Sequence, residues 1–378
     1  MVRMRVPEAI VAGHICLDIT PAFSSAGAAS LAELLRPGHL THVGAADVHT
    51  GGCVANTGLA LQKLGVATRL VARVGEDVFA GLIRHLLEAE GADCPLVCDP
   101  AGSTSYSIVL APPGIDRVFL HNPGANEGFA EADVTDGMMD GARLMHFGYP
   151  PLMLRLCRDG GAELLRLFAR AKARGLATSL DLCSVDASSP AAAMDWPALL
   201  AKLLPAVDFF LPSAEELCFM LDRPRLARWL ARSGGDDVTA SLDIRRGIEP
   251  LGDRLMAMGC KVAVIKCGAR GLYYRTAGAD ALRGAGLLLP AEVWADREGF
   301  QPAFRPQRIV SATGAGDTSI AAFLASALEG RPLVQCVARA AATGACCVEA
   351  YDALSGLKPL AELDDRIANG WPTAPDTR

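Results

Sequence analysis

The sequence lacks a long uncharged apolar run. A membrane-spanning helix needs about eighteen such residues, and the most apolar stretches are interrupted by Asp208, Glu215, Glu216 and Arg339. The first ten residues also lack the apolar core and the cleavage site of a secretory signal. These absences predict a cytoplasmic chain with no membrane partner.

An excess of positive charge is also missing. The formal net charge is -6, whereas a protein whose main partner is nucleic acid or an anionic membrane needs a net basic face to displace counterions. We therefore expect no nucleic-acid partner. The chain has 378 residues, of which 51% are hydrophobic and 21% are charged, so it is long and apolar enough to pack as a globular enzyme.

The cysteines lack the spacing of a disulfide framework or a zinc site. Most of the twelve are scattered along the chain. Several, such as Cys218, Cys260 and Cys336, lie inside apolar segments, which predicts buried reduced thiols. Cys94 and Cys98 have no second pair at zinc-finger spacing. The sequence therefore predicts no structural metal.

What the sequence does contain, from residue 55 onward, is a repeated alternation of helix and strand. Three apolar helical stretches each end at a glycine, which supplies the left-handed turn of a helix C-terminus, and each is followed by a short β-branched run. These pairs are 55–64 with 67–74, 163–174 with 177–182, and 251–258 with 262–266. Such alternation predicts parallel βαβ units in one large α/β domain over residues 1–378.

Two segments, 14–50 and 103–123, interrupt this alternation and are typical of antiparallel β additions. A small β lid over the edge of the main sheet would account for both, although loops without a function would give the same pattern. A third segment, 223–247, is charged and contains Gly234. This segment predicts a surface insertion.

The strongest motif is Ser-Ala-Thr-Gly-Ala-Gly-Asp at residues 311–317, between a predicted strand at 308–310 and a helix with a buried apolar stripe. Glycines at a strand-to-helix turn let backbone amides converge at a helix N-terminus, where the helix dipole favours an anion. The amides of Gly314, Ala315 and Gly316 would therefore bind a phosphate that is being transferred.

Asp317 stands beside this predicted anion site, in the first turn of the helix. A carboxylate repels phosphate, but it is well placed to accept the proton of a hydroxyl that attacks phosphorus. The alternative is that Asp317 only caps the helix. Other glycine loops do not fit, because no Walker lysine follows the glycines and a dinucleotide fingerprint would open an early βαβ unit.

The same motif resembles the second signature of the ribokinase-like (PfkB) kinases, Asp-Thr-x-Gly-Ala-Gly-Asp, and matches it from Thr313 to Asp317. This resemblance implies an α/β fold of the ribokinase-like type, a three-layer sandwich with a central mostly parallel sheet and a small β lid. It also implies that Asp317 is the catalytic base. Ser311 stands where relatives usually have an Asp that contributes to a monovalent cation site, so activation by such a cation stays open.

A second match lies near the N-terminus, where Gly51, Gly52 and Asn56 resemble the first signature of the family. Paired glycines admit a ligand close to the backbone, and an asparagine offers a donor and an acceptor to vicinal hydroxyls. A tight turn with an Asn cap is the alternative. The resemblance further implies that Asp18, at the end of a first strand 11–18, binds sugar hydroxyls, and that Asn126 lies on the substrate side.

The remaining candidates include Asp181, which follows the predicted strand 177–180 and would contact substrate or a magnesium-bound water, or would cap a helix. Ser213 and Glu216 resemble the family's Asn-x-x-Glu motif, in which the Glu orders magnesium-bound water. A Ser-x-x-Glu capping box fits these two residues equally well. The resemblance also implies that four residues bind the nucleotide: Lys266, Gly268, Gly271 and Thr343. Thr343 would line the adenine, although helix packing explains a small residue there equally well.

Four of these candidates follow predicted strands, so a parallel sheet would gather Asp18, Asp181, Gly268 and Asp317 at one edge. We expect transfer of the γ-phosphoryl group of Mg-ATP to a hydroxyl of a sugar or sugar derivative. A nucleoside kinase of the same fold and a non-catalytic sugar or nucleoside sensor are the alternatives. Substrate choice would depend on side chains such as Tyr149, and the shared lid leaves a homodimer open.

Overall fold

The computed structural model describes most of the chain. The described residues are 6–23, 31–113, 117–234, 237–287 and 289–375. Residues 24–30 and 114–116 of the predicted lid, and 235–236 of the predicted insertion, lie outside them. Of the helices within the described ranges, none has the length and apolar character that crossing a membrane requires.

Strands and helices alternate along the chain, as the glycine-terminated pattern predicts. The strands are β1 (Ala9–Gly13), β2 (Cys16–Pro21), β3 (Ala46–Gly51), β4 (Thr68–Gly75), β5 (Leu96–Asp99), β6 (Tyr106–Leu110), β7 (Val118–Asn122), β8 (Leu144–Gly148), β9 (Ala177–Leu180), β10 (Phe209–Phe210), β11 (Val262–Lys266), β12 (Gly271–Thr276) and β13 (Glu298–Pro302). The helices are α1 (Leu31–Leu34), α2 (Gly52–Lys63), α3 (Val78–Ala89), α4 (Asp136–Met139), α5 (Leu154–Ala173), α6 (Trp196–Leu203), α7 (Ala214–Leu221), α8 (Arg223–Ser233), α9 (Glu249–Ala257), α10 (Ala279–Arg283), α11 (Ala291–Trp294), α12 (Ala315–Leu328), α13 (Leu333–Cys347) and α14 (Leu360–Ala368).

A nine-stranded sheet forms the centre of the fold, in the order β13-β12-β11-β10-β9-β8-β1-β4-β5. Neighbouring strands from β11 to β5 run parallel, whereas β12 and β13 pair antiparallel at one edge. The prediction of a mostly parallel α/β sheet is therefore confirmed.

Alternating residues of the central strands supply two hydrophobic cores. In β1, Val11 packs on one face of the sheet and Ile10 on the other, because successive side chains of a strand point to opposite faces. Helices α2, α12 and α13 cover the first face, and α5, α6 and α9 cover the second. Strands that are apolar on both faces need helices on both sides, and this requirement produces the three predicted layers.

A separate four-stranded sheet has the order β3-β2-β6-β7 and pairs the two interrupting segments with each other. In it Asp18 on β2 lies opposite His49 on the antiparallel strand β3 and opposite Ser107 on the parallel strand β6. The predicted β lid is confirmed, and Asp18 belongs to it.

The first strand ends before Asp18, the residue at which the predicted strand 11–18 ends. Strand β1 ends at Gly13, whose φ is +133°, and a Cβ at this position would lie 2.3 Å from the carbonyl oxygen of Gly148. The backbone breaks there and enters the lid at Cys16. The expectation that Asp18 ends a strand of the main sheet is therefore wrong.

The segment before the glycine motif is not a strand either. Residues 308–310 belong to neither sheet, Ile309 is 76% exposed, and the amide of Val310 donates to the carbonyl oxygen of Val348 at 2.8 Å. β-branched residues favour an extended backbone, and here that backbone bonds to the end of α13 instead of to a strand. The prediction of a strand at 308–310 is wrong.

The segment 223–247, predicted as a surface insertion, forms α8 and two short helical turns. Trp229 and Ile244 are buried in the second core, and the side chain of Thr239 packs against Gly268. This segment is therefore not only a surface insertion. It also contributes to the core and covers the turn at Gly268.

Candidate active site

The carboxyl edge of the main sheet brings together four polar side chains. Tyr149 follows β8, Asp181 follows β9, and Lys266 is the last residue of β11. Helix α12 begins at Ala315 and places Asp317 in its first turn. Open α/β sheets bind ligands at this edge, so the sheet gathers the candidates where a ligand is expected.

Asp317 is held by side chains from two other parts of the chain. The phenolic hydroxyl of Tyr149 donates to Oδ1 of Asp317 at 2.8 Å, and Nδ2 of Asn56 donates to Oδ2 at 2.9 Å. Gly314 occupies the N-cap position of α12, and no side-chain hydrogen bond caps this helix. Asp317 is therefore not a helix cap, and its two oxygens are oriented independently.

Burial dominates the electrostatics of Asp317, which is 5% exposed. Burial raises the pKa of its carboxyl above the ordinary value, while the charge of Lys266 and the hydrogen bonds from Asn56 and Tyr149 oppose that rise. A base works best when its pKa lies near the working pH. The environment of Asp317 therefore suits proton acceptance.

The glycine turn in front of α12 is the segment predicted to form the anion cradle. Gly314 has φ +72°, and a Cβ there would lie 2.2 Å from the Cβ of Ala353, so only glycine fits this turn. The amide of Ala315 donates to the carbonyl oxygen of Ala312 at 3.3 Å. One of the three amides expected to bind phosphate thus has a backbone partner in this conformation.

Lys266 and Asp181 form a buried ion pair beside this cradle. Nζ of Lys266 donates to Oδ1 of Asp181 at 2.7 Å, and the two side chains are 14% and 1% exposed. Burial raises the pKa of Asp181, although the charge of Lys266 opposes it. Burial also acts against the charge of Lys266, but the carboxylates of Asp181, Glu216 and Asp317 raise its pKa. The surrounding carboxylates therefore favour the charged form of Lys266.

Ser213 and Glu216 form a capping box at the start of α7. Oγ of Ser213 accepts from the amide of Glu216 at 3.2 Å, and Oε2 of Glu216 accepts from the amide of Ser213 at 2.7 Å. The capping alternative is thus present in the structure. The negative charge of Glu216 still acts on the cluster, because it raises the pKa values of Asp181, Lys266 and Asp317.

A cavity of about 540 Å³ lies between the lid and the glycine turn. Its walls include Asp18 and Phe119 from the lid, Asn56 from α2, and Ser311 from the loop before α12. Nη1 of Arg117 on the lid donates to Oγ of Ser311 at 3.2 Å. A volume of this size suits a small molecule, and Asn56 joins the cavity wall to the carboxylate of Asp317.

The paired glycines allow the lid to approach α2 closely. A Cβ on Gly51 would lie 2.2 Å from Oδ2 of Asp18, and a Cβ on Gly52, at φ +85°, would lie 2.5 Å from Nδ1 of His14. Burial raises the pKa of Asp18, and hydrogen bonds from neighbouring lid side chains oppose that rise. The glycine pair therefore brings Asp18 to the same cavity as Asn56.

A family model described as "pfkB family carbohydrate kinase" matches residues 22–359. The chain belongs to this family of carbohydrate kinases. Over 335 residues the kinase is 25% identical to fructokinase-2 of Zea mays, and the match covers 84% of this chain and 85% of that protein.

Solved structures share the fold of the kinase. Arabidopsis thaliana ribokinase, complexed with ribose and ATP, gives a TM-score of 0.68 at 20% identity, covering 96% of this chain and 98% of that chain. A candidate ribokinase II of E. coli in complex with ATP and Mg²⁺ gives a TM-score of 0.68 at 20% sequence identity. The match covers 96% of this chain and 99% of that chain. The predicted ribokinase-like fold is therefore confirmed.

Two residues expected in the site of the kinase have structural partners instead. Asn126 is buried, and its side-chain oxygen accepts from the amide of Ile15 at 3.3 Å. Its side-chain nitrogen donates to the carbonyl oxygens of Ile15 and Pro123 at 2.8 and 3.1 Å. The amide group of Asn126 therefore joins the lid to the main domain. Thr343 is fully buried in α13, and its hydroxyl donates to the carbonyl oxygen of Arg339. These contacts argue against the expected substrate and adenine roles.

The glycine turn after β11 is shaped by packing. A Cβ on Gly271, at φ +129°, would lie 2.1 Å from the carbonyl oxygen of Gln301 on the paired strand β13, and one on Gly268, at φ +54°, would lie 2.2 Å from Oγ1 of Thr239. Pairing with β13 therefore explains Gly271 without a nucleotide. The turn still follows Lys266 directly, on the side of the sheet edge where a nucleotide is expected.

From the sequence, Tyr149 is expected only to influence substrate choice. In the structure Tyr149 has φ +65° and ψ +44°, stacks on His14 with ring centroids 5.8 Å apart, and bonds to Asp317. The available signal was its place directly after the strand that ends at Gly148. That position indicates the sheet edge but not the partner.

Proposed function

We propose that this kinase transfers the γ-phosphoryl group of ATP to a hydroxyl of a sugar or sugar derivative, with Asp317 as the general base. One observation carries the proposal. The buried carboxylate of Asp317 lies in the first turn of α12 and is oriented by Tyr149 and by Asn56, and Asn56 also lines the cavity of about 540 Å³. Asn56 therefore links the proposed base to the proposed acceptor side.

The residues act in a single in-line step. The acceptor hydroxyl, bound in the cavity by Asp18 and Asn56, attacks phosphorus while its proton moves to Asp317. The new oxygen–phosphorus bond forms as the bond to ADP breaks, and ADP leaves with the electron pair. Amides of the turn at Gly314 and Gly316 meet the charge on the phosphoryl oxygens. Closure of the lid excludes water, which would otherwise be an acceptor.

Mg²⁺ fits this site as an ion carried by the nucleotide. In the described part of the chain no group of three or more His, Cys, Asp or Glu side chains is arranged to hold a metal ion. One oxygen of Glu216 is used in the capping box, and Asp181 is paired with Lys266, so both would contact the ion through its water molecules. When bound with ATP, the ion neutralises charge on the phosphates.

Ser213, Lys266, Gly268 and Gly271 are the proposed nucleotide side of the site. The two neighbours whose descriptions name ATP support ATP as the donor. A monovalent cation is not part of the proposal, because Oγ of Ser311 accepts from Arg117 and from the amide of Thr313, and a serine lacks the carboxylate that relatives have there.

A sugar is a better candidate acceptor than a nucleoside. The family and the fructokinase relative support a sugar, and the oriented base argues against a sensor that only binds ligand. A homodimer through the lid stays a proposal, supported by Phe119 and Leu120 on β7, which are 51% and 55% exposed.

The test is ADP release from Mg-ATP with free sugars, sugar acids, sugar phosphates and nucleosides as acceptors, with the product identified by mass spectrometry. We expect turnover and a product heavier by one phosphoryl group with one class of sugar. Turnover confined to nucleosides would replace the sugar proposal with the nucleoside one. Binding of a sugar without turnover on any acceptor would favour a sensor.

A further inference from the structure

Lys266 lies against the first turn of α12. It is the last residue of β11, and its side chain extends to Gly316 of α12. A Cβ built on Gly316, the second residue of α12, would lie 3.6 Å from Nζ of Lys266. The ammonium group therefore lies against the helix N-terminus that is expected to bind the transferred phosphate.

The ammonium group has hydrogen-bonding capacity left for a ligand. An ammonium has three N–H donors, and within the described residues the acceptor that it reaches is Asp181, at 2.7 Å. The pair is buried, and Glu216 and Asp317 add further negative charge around the same cation. A buried cation with several nearby carboxylates stays charged and can keep one bond to Asp181 while it donates to another anion.

The other cations near the cavity have different partners and positions. Arg117 approaches from the lid and donates to Oγ of Ser311. Lys63 also lines the cavity, where it is paired with Glu90 and is 39% exposed. Lys266, in contrast, lies against Gly316, and its charge acts on the carboxylate of Asp317.

The geometry points to Lys266 as a catalytic residue, whose Nζ donates to the non-bridging oxygens of the phosphoryl group in transit, with Asp181 as its positioning residue. This inference rests on the proposed phosphoryl transfer. The acceptor proton goes to Asp317, and the ADP oxygen takes the electron pair of the breaking bond. Lys266 exchanges no proton and supplies fixed positive charge where charge is redistributed.

This assignment changes the role expected for each partner. Lys266 would act on the γ-phosphoryl group, which ATP has and ADP lacks, and not on the nucleotide in general. Asp181, which is 1% exposed, would hold the ammonium in place and would make no contact with the sugar. Each role predicts a different pattern of kinetic and binding constants.

The test compares Lys266→Met, Lys266→Arg and Asp181→Asn, with Lys202→Met on the exposed side of α6 as the matched control. We measure kcat and KM for the sugar and, by calorimetry, the dissociation constants of Mg-ATP and Mg-ADP. For Lys266→Met we expect kcat to fall about 10²–10³-fold, the usual loss of one preorganised donor. The affinity for Mg-ATP should fall while that for Mg-ADP stays unchanged, which also shows that the variant is folded.

Partial recovery of kcat in Lys266→Arg supports a charge that touches the phosphoryl group. For Asp181→Asn we expect a smaller fall in kcat and an unchanged sugar KM. An unchanged kcat in Lys266→Met, or equal losses of Mg-ATP and Mg-ADP affinity, would overturn the role of Lys266. A raised sugar KM in Asp181→Asn would return Asp181 to the substrate side.

The binding measurements also separate this inference from the proposed function. If the wild-type protein released no ADP with any acceptor, the proposed transfer would be wrong. The dissociation constants of Mg-ATP and Mg-ADP could still be compared between the wild type and Lys266→Met. Loss of the preference for Mg-ATP over Mg-ADP in Lys266→Met supports contact with the γ-phosphoryl group. Its retention contradicts such contact.

Discussion

The hydroxyl of Tyr149 lies 2.8 Å from Oδ1 of Asp317, and Tyr149 makes this contact from a left-handed backbone conformation, with φ +65° and ψ +44°. Such a conformation is uncommon for a residue with a large side chain and costs about 1–3 kcal/mol. Burial and the charge of Asp317 raise the pKa of Tyr149, so its hydroxyl stays protonated. The hydroxyl of Tyr149 therefore always has a proton to donate to Asp317.

We expect Tyr149→Phe to change the pH dependence of the reaction. The hydrogen bond from Tyr149 lowers the pKa of Asp317, so its loss raises that pKa and leaves less carboxylate at a given pH. The acidic limb of kcat/KM should move to higher pH, and at pH values on that limb kcat/KM should fall about tenfold, as expected for the loss of one hydrogen bond to a charged group. The measurement is kcat/KM for the sugar from pH 5 to pH 9.

The matched control is Tyr351→Phe, since Tyr351 also lines the cavity and is 50% exposed. Its profile should coincide with that of the wild type. If the Tyr149→Phe profile also coincides with the wild type, Tyr149 does not tune the base.

Two buried histidines make the stability of the kinase depend on pH. Burial lowers the pKa of His14 and of His146 to about 3, helped by the positive charge of His121 and of Lys266 respectively. In the unfolded chain both groups titrate near 6.5. The folded-state pKa is the lower one, so the stability is fully present above pH 6.5 and is lost as the pH falls from there toward 3.

Each such histidine should cost about 1.4 kcal/mol of unfolding free energy per pH unit below 6.5. The measurement is urea unfolding at pH 7.5, 6.0 and 5.0. His146→Gln keeps a hydrogen-bonding group near Ser179, the partner of Nδ1, and should have a shallower pH dependence. An identical slope in the variant would show that His146 is protonated in the folded state.

Asp208, at the opposite edge of the sheet, is a stability residue. It is fully buried, accepts from Nζ of Lys172 at 2.7 Å and from the amide of Thr178 at 2.8 Å, and also pairs with Lys261. Asp208→Asn leaves two partly buried ammonium groups without their counter-charge and should cost about 3–5 kcal/mol, the usual cost of breaking a buried pair.

Urea unfolding checks this cost, with the exposed Asp365→Asn on α14 as the control. Because Asp208 lies at the amino ends of the strands, kcat per folded molecule should not change. A free energy of unfolding within about 0.5 kcal/mol of the wild type, the range of ordinary surface changes, would show that the pair contributes nothing.

The parts of the fold that depend on local sequence could be predicted. Glycines 65, 175 and 259 all have positive φ, as the helix-stop pattern requires, and β11 has the predicted bounds 262–266. The position of Asp317 in the first turn of α12 is also local, because it follows from the glycine turn directly before it.

The errors arose where distant parts of the chain decide the structure. Gly13 breaks the first strand because it packs against Gly148, 135 residues away in sequence. The amide group of Asn126 is used by Ile15, and no pattern around residue 126 shows that partner. Similarly, Tyr149 and Lys266 meet Asp317 because of the order of strands in the sheet, which residue spacing does not determine.

The most direct test of the central claim is the rate of phosphoryl transfer by Asp317→Asn. The variant keeps the size of the side chain and an oxygen that can accept from Tyr149 or Asn56, but it cannot take a proton. We expect kcat to fall about 10²–10⁴-fold, the usual contribution of a general base, while the dissociation constants of the sugar and of Mg-ATP stay close to those of the wild type. A kcat within a few-fold of the wild-type value, with binding intact, would contradict the role of Asp317 as the base.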